Sequence, residues 1–341
     1  MLRLAIVGAG WAGTRQVEAI RELGRKITVE CLVDNDSDHL SAQSGKLGVR
    51  KVYGEVNEAL NDQDVDAISI ALPHALHCEV AVAAAEAGKH VLVEKPMAMS
   101  VDEATQMMEA ADRAGVRIFV AENIAYEPMS QFLREIVRTG KHIGEIVSAS
   151  FSRGFRAPQY GFEGRRAWLS TPERGGSGTW LLHGIHSIAQ VRYVLGEVDT
   201  VYVREHHAKS FQRTDLEGTM SGVLMMDSGF VVSVLQTCEA RIKGAQSGFV
   251  IHGDKGSIQA CEDGCNLIST EGAEELRLDY PDSSLSSYAL ELEAFVDLIE
   301  DGIEGPTTAQ SERRSLAVIQ AGYESARTGQ PVCLKDRFGS L

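Results

Sequence analysis

The sequence predicts an α/β plus α+β protein of two domains, a doubly wound parallel sheet followed by a mainly antiparallel sheet. Through residue 121, short apolar runs alternate with helical stretches, which is typical of parallel strands covered by helices on both faces. Beyond that point, strand candidates follow one another across turns, which favours antiparallel pairing. A length of 341 residues suits two domains, and the change of pattern predicts them at residues 1–122 and 123–341.

The elements of the first domain are predicted from apolar runs and their boundary residues. Residues 2–7 form a nearly continuous apolar run, as expected of a strand buried on both faces. Ser100 and Glu103 have the spacing of a capping box, and Gly115 ends the helix that they begin. Strands are predicted at residues 2–7, 28–33, 66–72, 90–93 and 117–121, and helices at residues 14–23, 77–87 and 100–114.

The second domain is predicted from runs of strand-forming residues between turns, such as those at residues 227–229 and 253–256. Its first helix is expected at residues 129–138, and another helix interrupts the strands at residues 179–195. Strands are predicted at residues 146–151, 198–206, 218–226, 230–238, 247–252 and 257–261, and two final helices at residues 287–299 and 310–328.

The composition excludes several classes of function. The net charge of −15 argues against nucleic-acid binding, which needs a basic face, and against anionic membrane surfaces. No apolar run approaches the length of a membrane span, and the first run is too short for a signal peptide. The six cysteines form no Cys-x-x-Cys pair. We therefore expect a cytoplasmic protein with no nucleic-acid, membrane or disulfide chemistry.

A glycine-rich fingerprint follows the first predicted strand. Gly8, Gly10 and Gly13, with Trp11 and Ala12 between them, form a G-x-G-x-x-G that opens a helix. In this context the first glycine permits a tight turn, the second lets a pyrophosphate approach, and the third lets helix pack on strand. The helix N-terminus then offers free N–H groups to phosphates. The sequence therefore predicts a Rossmann dinucleotide site.

The residue at the end of the second strand indicates which dinucleotide binds. Asp34 lies 21 residues after Gly13, where a carboxylate accepts hydrogen bonds from both ribose hydroxyls and repels a 2′-phosphate. The residues that follow, 35–38, supply no Arg or Lys to receive that phosphate. NAD is therefore favoured over NADP.

Several further segments resemble the Gfo/Idh/MocA oxidoreductase family, which includes glucose-fructose oxidoreductase and inositol dehydrogenase. The most specific is Glu94-Lys95-Pro96 after Gly88-Lys89-His90-Val91, in register with the N-terminal fingerprint. The other matching positions are Pro73 and His77, Glu122-Asn123, Tyr126-Glu127-Pro128, Gly175-Gly176, His186, residues 325–329 and Val332. The resemblance covers nearly the whole chain.

The resemblance implies hydride transfer between a nicotinamide and a hydroxyl or keto carbon of a sugar or cyclitol. It implies a second domain with a large open sheet whose exposed face pairs subunits, so a homodimer or homotetramer is expected. It maps Lys95 onto the catalytic lysine and the Lys95-Pro96 peptide onto one that is often cis. The cofactor-binding positions that it implies are Ala71, Pro73, His74, His77, Glu94, Lys95 and Asn123.

Lys95 is also supported by its chemistry. A lysine just past the carboxyl end of a parallel strand lies where such sheets bind ligands. Its ammonium can hydrogen-bond the reacting oxygen and stabilise alkoxide character, and burial or nearby cations can lower its pKa. The alternative is a surface salt-bridge lysine.

A second catalytic segment, around His186, departs from the family pattern. His186 matches the family histidine and is the candidate base or proton relay, since an imidazole titrates near neutral pH. The family bears an aspartate four residues earlier, where this chain has Leu182. At three residues from His186, His183 is the predicted substitute; the alternative is a helix-surface histidine. This departure argues against inositol-type specificity, and with no third ligand nearby no metal site is expected.

A basic stretch precedes the histidine segment in this acidic protein. Between residues 151 and 168 it holds Arg153, Arg156, Arg165 and Arg166 with one acid, Glu163. Arginine forks suit carboxylates and phosphates. The predicted substrate-binding residues are Lys95, Arg153, Arg156, Arg165, Trp168, His183 and His186, and an anionic sugar or cyclic diol is hypothesised. The alternative is that these arginines pair with surface acids, a partner subunit or the cofactor pyrophosphate.

The leading interpretation is an NAD-dependent oxidoreductase acting on a small molecule, a sugar, cyclitol or related cyclic polyol. One alternative is an NADPH-linked keto reductase of the same fold, against which Asp34 argues. Another is a non-catalytic dinucleotide-sensing regulator, which Leu182 favours and which Lys95 and His186 disfavour. A plain dinucleotide-binding subunit of a larger assembly also remains open.

Overall fold

The computed structural model describes residues 1–24, 26–156, 164–208, 216–269 and 275–341. Within them the strands are β1 (Leu2–Val7), β2 (Ile27–Val33), β3 (Val52–Tyr53), β4 (Ala67–Ile70), β5 (His90–Glu94), β6 (Ile118–Ala121), β7 (Ile146–Gly154), β8 (Val198–His206), β9 (Thr219–Met226), β10 (Val231–Thr237), β11 (Gly248–Gly253), β12 (Gly256–Cys261), β13 (Gly264–Ser269), β14 (Glu275–Leu278) and β15 (Val332–Cys333). The α-helices are α1 (Trp11–Leu23), α2 (Ser37–Leu47), α3 (Val56–Leu60), α4 (His77–Glu86), α5 (Val101–Ala114), α6 (Pro128–Thr139), α7 (Thr179–Leu182), α8 (Gly184–Leu195), α9 (Ser287–Glu300), α10 (Ala309–Thr328) and α11 (Leu334–Phe338).

One of the two units comprises residues 1–126 and 284–313. Its strands form a parallel sheet in the order β3-β2-β1-β4-β5-β6. This is the order of dinucleotide-binding sheets, in which the chain reverses direction across the sheet between β1 and β4. The loops after β1 and β4 therefore lie side by side, at the edge where such sheets bind ligands.

The other unit comprises residues 127–283 and 314–341. Its described strands form one sheet in the order β14-β13-β12-β11-β7-β10-β9-β8-β15, antiparallel except for the β7–β10 pair. Side chains alternate along the strands: Val201 and Val203 are buried, whereas Tyr202 between them is exposed. The doubly wound sheet and the mainly antiparallel sheet are confirmed.

Some predicted boundaries differ from the structure. Residues 284–313, which the predicted boundary leaves in the second domain, lie in the first unit, where α9 packs on α1 and β6. The prediction of one unbroken helix at residues 179–195 is wrong, because the helix is interrupted at His183. Helices α2 and α3 and the short strands β3 and β15 were not predicted, since elements of two to five residues, or helices with little apolar periodicity, carry weak sequence signals.

The capping signal before α5 is confirmed only in part. The Ser100 hydroxyl accepts the Glu103 backbone N–H at 3.1 Å, but the Glu103 carboxylate accepts from Met99 rather than from Ser100. Among the described residues, no helix is both long and apolar enough to cross a bilayer.

Candidate functional site

The three glycines after β1 occupy three different environments. Gly8 has φ +103°, and a Cβ there would collide with the Ala71 carbonyl oxygen after β4. A Cβ at Gly13 would lie 2.9 Å from Ile6 Cγ2, as well as against the Gly8 carbonyl. A Cβ at Gly10 would meet no atom of the described residues within 4 Å. Gly8 and Gly13 are therefore required by the fold, whereas Gly10 leaves open space beside the loop.

Helix α1 begins at this open space. Its N-cap is Gly10, no side chain caps it, and its first turn holds no acidic residue. Trp11 is 63% exposed, and Ala12 follows it within the first turn. The uncapped N–H groups and the positive end of the helix dipole thus suit an anionic group.

The predicted ribose carboxylate is held against the glycine loop. Asp34, 7% exposed, accepts the Ala9 backbone N–H at 3.1 Å and the Asp36 N–H at 3.1 Å. On the other side of the loop, His39 Nε2 lies 2.8 Å from the Ala9 carbonyl oxygen. Both sides of Ala9 are therefore fixed by side chains from the segment after β2. His39 carries no sequence signal, because its role depends on a contact with a residue thirty positions earlier.

The loops after β4 and β5 are joined by a buried histidine. His77 is fully buried, with Nε2 3.0 Å from the Leu72 carbonyl oxygen and Nδ1 2.9 Å from that of Pro96. Burial lowers the pKa of His77. Its ring stacks edge-on with His74, with ring centroids 5.6 Å apart. The structure thus places His77 behind the loop that carries Pro73 and beside the segment that carries Lys95.

Lys95 lies directly after β5, and the Lys95–Pro96 peptide is cis, as the resemblance implies. Glu94 accepts a hydrogen bond from Gln16 Nε2 at 2.8 Å, and Gln16 in turn accepts from the Ser69 hydroxyl. Burial raises the pKa of Glu94 to about 7, although the Lys95 ammonium acts in the opposite direction. The carboxyl end of β5 therefore presents an amine beside a carboxyl that titrates near neutral pH.

An amide and a carboxyl follow β6, and a further carboxyl lies on α9, which packs on β6. Asn123 Nδ2 donates to Ser287 Oγ on α9 at 2.9 Å, and Glu122 accepts the Ile124 N–H at 3.2 Å. One turn along α9, Glu291 is 2% exposed, and its pKa is raised well above the usual value by burial and by the carboxyls of Glu94 and Glu122. Sequence reasoning missed Glu291, because an acid on an otherwise amphipathic helix reads as a solvent-facing residue.

The histidine segment in the other unit has a break in the middle. His183 lies between α7 and α8, and its ring meets the Phe155 ring edge-on with centroids 4.5 Å apart. His186 follows in the first turn of α8 and is partly exposed, as is Leu182 at the end of α7. The prediction that His183 and His186 share one face of a regular helix therefore does not apply, since the backbone leaves the helical conformation at His183.

Of the basic stretch, the structure describes residues 151–156 and 164–168, and Glu163 lies outside the described residues. Arg153 donates to the Gln190 side-chain oxygen on α8 at 3.0 Å. Gln190 in turn donates to Ser130 Oγ at 2.8 Å. The other predicted binding residues of this stretch, Arg156, Arg165 and Trp168, are exposed or partly exposed, and so is Arg166. Of the four arginines, Arg153 thus has its side chain anchored on the helix that carries His186.

The strand order, the open glycine and the fixed carboxylate define a dinucleotide-binding protein of the Rossmann class. Comparison with known families is more specific. Residues 2–122 match the oxidoreductase family with NAD-binding Rossmann fold, and residues 130–259 match the GFO/IDH/MocA C-terminal domain. The chain belongs to the Gfo/Idh/MocA family and is an NAD(P)-dependent oxidoreductase acting on CH–OH groups.

Similar proteins act on sugars. The chain is 28% identical to 1,5-anhydro-D-fructose reductase of Ensifer adhaerens, over 97% of this chain and 98% of that protein. It is 29% identical to D-xylose 1-dehydrogenase (NADP(+)) 2 of Haloferax volcanii, over 88% and 90%. An oxidoreductase from Agrobacterium radiobacter, solved with NAD⁺, L-tartaric acid and magnesium, has the same fold, with a TM-score of 0.86 at 20% identity over 99% of both chains.

Proposed function

We propose that this protein is an NAD-dependent dehydrogenase that oxidises a hydroxyl group of a sugar or related cyclic polyol. The names of the similar reductase and dehydrogenase support the sugar class. The observation that carries the choice of NAD is Asp34, whose carboxylate is fixed beside the glycine loop by the Ala9 N–H. A fixed negative charge at this position disfavours a 2′-phosphate.

The residues present fit a dinucleotide. The uncapped N-terminus of α1 and the open space at Gly10 receive the pyrophosphate, and Asp34 receives the ribose hydroxyls. When bound, NAD supplies the acceptor for the hydride of the substrate alcohol. The proposed contacts from the loops after β4 to β6 are Ala71, Pro73, His74, Glu94 and Asn123, with His77 holding two of these loops together.

Lys95 and His186 are the proposed catalytic residues. The Lys95 ammonium hydrogen-bonds the reacting oxygen and stabilises the negative charge that develops there. His186 accepts the hydroxyl proton, which an imidazole can hold near neutral pH. His183, against the Phe155 ring, is the proposed replacement for the polar contact that Leu182 does not provide.

Within the class of sugars and cyclic polyols, we propose that the substrate is acidic. The Arg153 guanidinium donates to the side-chain amide oxygen of Gln190 on α8 at 3.0 Å, and the planar fork of a guanidinium suits a carboxylate ligand. In a protein of net charge −15, such an oriented guanidinium favours an anionic ligand over a neutral one. Arg156, Arg165 and Trp168 are further proposed contacts.

A substrate screen tests the proposed function. Purified protein is incubated with NAD, and separately with NADP, against neutral sugars, cyclitols and sugar acids, while reduced nicotinamide is measured. We expect turnover with NAD and a preference for sugar acids. A parallel assay follows the oxidation of NADH or NADPH with keto sugars. Turnover with NADPH in that assay supports the reductase alternative, and NAD binding without turnover in either assay supports the regulator.

We also propose that the protein forms a homodimer or homotetramer and is located in the cytoplasm. The exposed face of the nine-stranded sheet carries Tyr202, Met225 and Val231, and we propose that a second copy of the chain covers it. Analytical ultracentrifugation tests this: a dimer or tetramer that Met225→Glu dissociates is expected, and a wild-type monomer contradicts it. The six cysteines all lie in the described residues and none forms a disulfide, which suits the cytoplasm.

A further inference from the structure

A buried carboxyl at the start of β9 contacts the segment that leads to the catalytic histidines. Glu217 is 5% exposed, and its Oε1 accepts the Trp180 backbone N–H at 2.8 Å. Its own carbonyl oxygen accepts the Thr179 N–H at 3.1 Å. The backbone N–H groups of two successive residues of α7 are therefore both bonded to Glu217, which lies 37 positions after Trp180 in the chain.

The sequence of α7 is arranged to admit this carboxyl. The N-cap of α7 is Gly178, which has no side chain to cap the helix. A Cβ at Gly178 would collide with both carboxyl oxygens of Glu217. Glu217, two residues before β9, thus occupies the place of an N-cap side chain, and it satisfies a helix N–H that would otherwise be buried without an acceptor.

A tyrosine on α10 completes the contact. The Tyr323 hydroxyl donates to Glu217 Oε1 at 2.8 Å and accepts the Leu181 N–H at 3.1 Å. The Trp180 indole N–H donates to the Ile319 carbonyl oxygen at 3.1 Å. The backbone of α7 is therefore fixed from two sides, by β9 and by α10, up to the residue before Leu182.

We propose that Glu217 is a positioning residue for the reaction: by bonding α7 it sets the backbone position at which His183 and His186 begin. The short α7 ends at Leu182 and α8 starts at Gly184. Because His183 directly follows α7, the position of the α7 backbone determines where His183 and the start of α8 lie. This inference rests on the proposed function in that His186 is taken to accept the proton. Displacement of a catalytic group by about 1 Å can lower turnover by about a hundredfold.

The test compares Glu217→Ala and Glu217→Gln with a matched control. Gln keeps an acceptor oxygen for the Trp180 N–H, whereas Ala removes it. The control is Glu239→Gln, because Glu239 also bonds across the sheet, to the Ala208 N–H at 2.9 Å and the Thr219 hydroxyl at 2.6 Å, without touching α7. The measurements are kcat and KM for the sugar, the Kd for NAD, and the histidine ring signals in ¹H–¹⁵N spectra, with His186 assigned through His186→Asn.

For Glu217→Ala we expect kcat to fall by about tenfold to a hundredfold, with an unchanged Kd for NAD and shifted His186 signals. Glu217→Gln should stay within about threefold of wild type, and Glu239→Gln should lower thermal stability while leaving kcat and the His186 signals as they are. Wild-type kcat and unshifted His186 signals in Glu217→Ala would overturn the proposal.

The test remains decisive if Glu217→Ala does not fold or if the wild-type protein oxidises no sugar. If Glu217→Ala does not fold, Tyr323→Phe, which removes one bond to Glu217 and one to Leu181, should still shift the His186 signals; unshifted signals in that folded variant overturn the proposal. If the wild-type protein oxidises no sugar, the proposed function fails, whereas the His186 spectra still decide whether Glu217 positions the histidine.

Discussion

The glycine loop of one unit and the histidine segment of the other are built in opposite ways. In the loop, the three glycines lie within six consecutive residues, and Gly8 and Gly13 are fixed by steric contacts with backbone atoms. In the histidine segment, α7 is four residues long and is held by the side chains of Glu217, just before β9, and Tyr323 on α10. The first site is therefore defined by a local motif and the second by tertiary contacts.

This difference explains which residues can be recognised from the sequence. A G-x-G-x-x-G works wherever a strand, a turn and a helix follow one another, so its spacing is constrained. A carboxyl that caps a helix from a distant strand leaves no spacing rule.

Gly13→Ala should cause the largest loss of stability. Its Cβ would press on the Gly8 carbonyl and lie 2.9 Å from Ile6 Cγ2, atoms that cannot move without shifting β1. We expect the free energy of unfolding to fall by about 3 kcal/mol, as measured by urea denaturation. Unchanged stability would show that the loop is not sterically fixed.

In the histidine segment, the buried carboxyl of Glu217 should make the stability of the protein depend on pH. Burial raises the pKa of Glu217 from 4.5 to about 7 in the folded protein. Between these values the unfolded chain releases the proton and the folded chain keeps it, so wild-type stability declines as pH rises from 4.5 to 7. Glu217→Gln cannot ionise, so it should lose less stability over that range, by about 3 kcal/mol. Urea denaturation at pH 4.5, 5.5 and 7 measures the free energy of unfolding of both proteins. If it changes equally with pH in the wild type and in Glu217→Gln, the pKa of Glu217 is not raised in the folded protein.

Gly10→Ala is the matched variant of Gly13→Ala. Gly10 has φ −78°, which alanine adopts freely, and its Cβ would enter open space. We expect stability to change by no more than about 0.5 kcal/mol and NAD affinity to fall about tenfold, since the Cβ takes space needed by the pyrophosphate. Calorimetric titration with NAD measures the affinity; wild-type affinity would mean that the cofactor does not approach Gly10.

Asp34→Asn should have the smallest effect. Asn keeps an oxygen to accept the Ala9 N–H, which the carboxylate accepts at 3.1 Å, but removes the negative charge. The preference for NAD over NADP should therefore fall about tenfold while the loop keeps its conformation. The ratio of the two dissociation constants measures this preference. An unchanged ratio would show that another group selects the cofactor.

The fold could be predicted from the sequence further than the site could. In residues 1–121, the strands other than β3, the helices other than α2 and α3, the glycine loop and Asp34 follow from short-range patterns, and so does the placement of Lys95 after β5. By contrast, His39, Glu291 and Glu217 were missed, because each acts through a residue far away in sequence. The break at His183 was missed for the same reason: the local pattern is helical, and contacts with β9 and α10 hold α7 as a separate turn.

The variant Lys95→Met tests most directly whether Lys95 acts on the substrate after NAD has bound to the glycine loop. The measurement is kcat for the best sugar in the screen, with the Kd for NAD determined on the same samples. We expect kcat to fall about a thousandfold, since the ammonium that stabilises the developing negative charge is lost, while the Kd for NAD stays within about threefold of wild type. Wild-type turnover in Lys95→Met would show that the Lys95 ammonium does not act on the reacting oxygen.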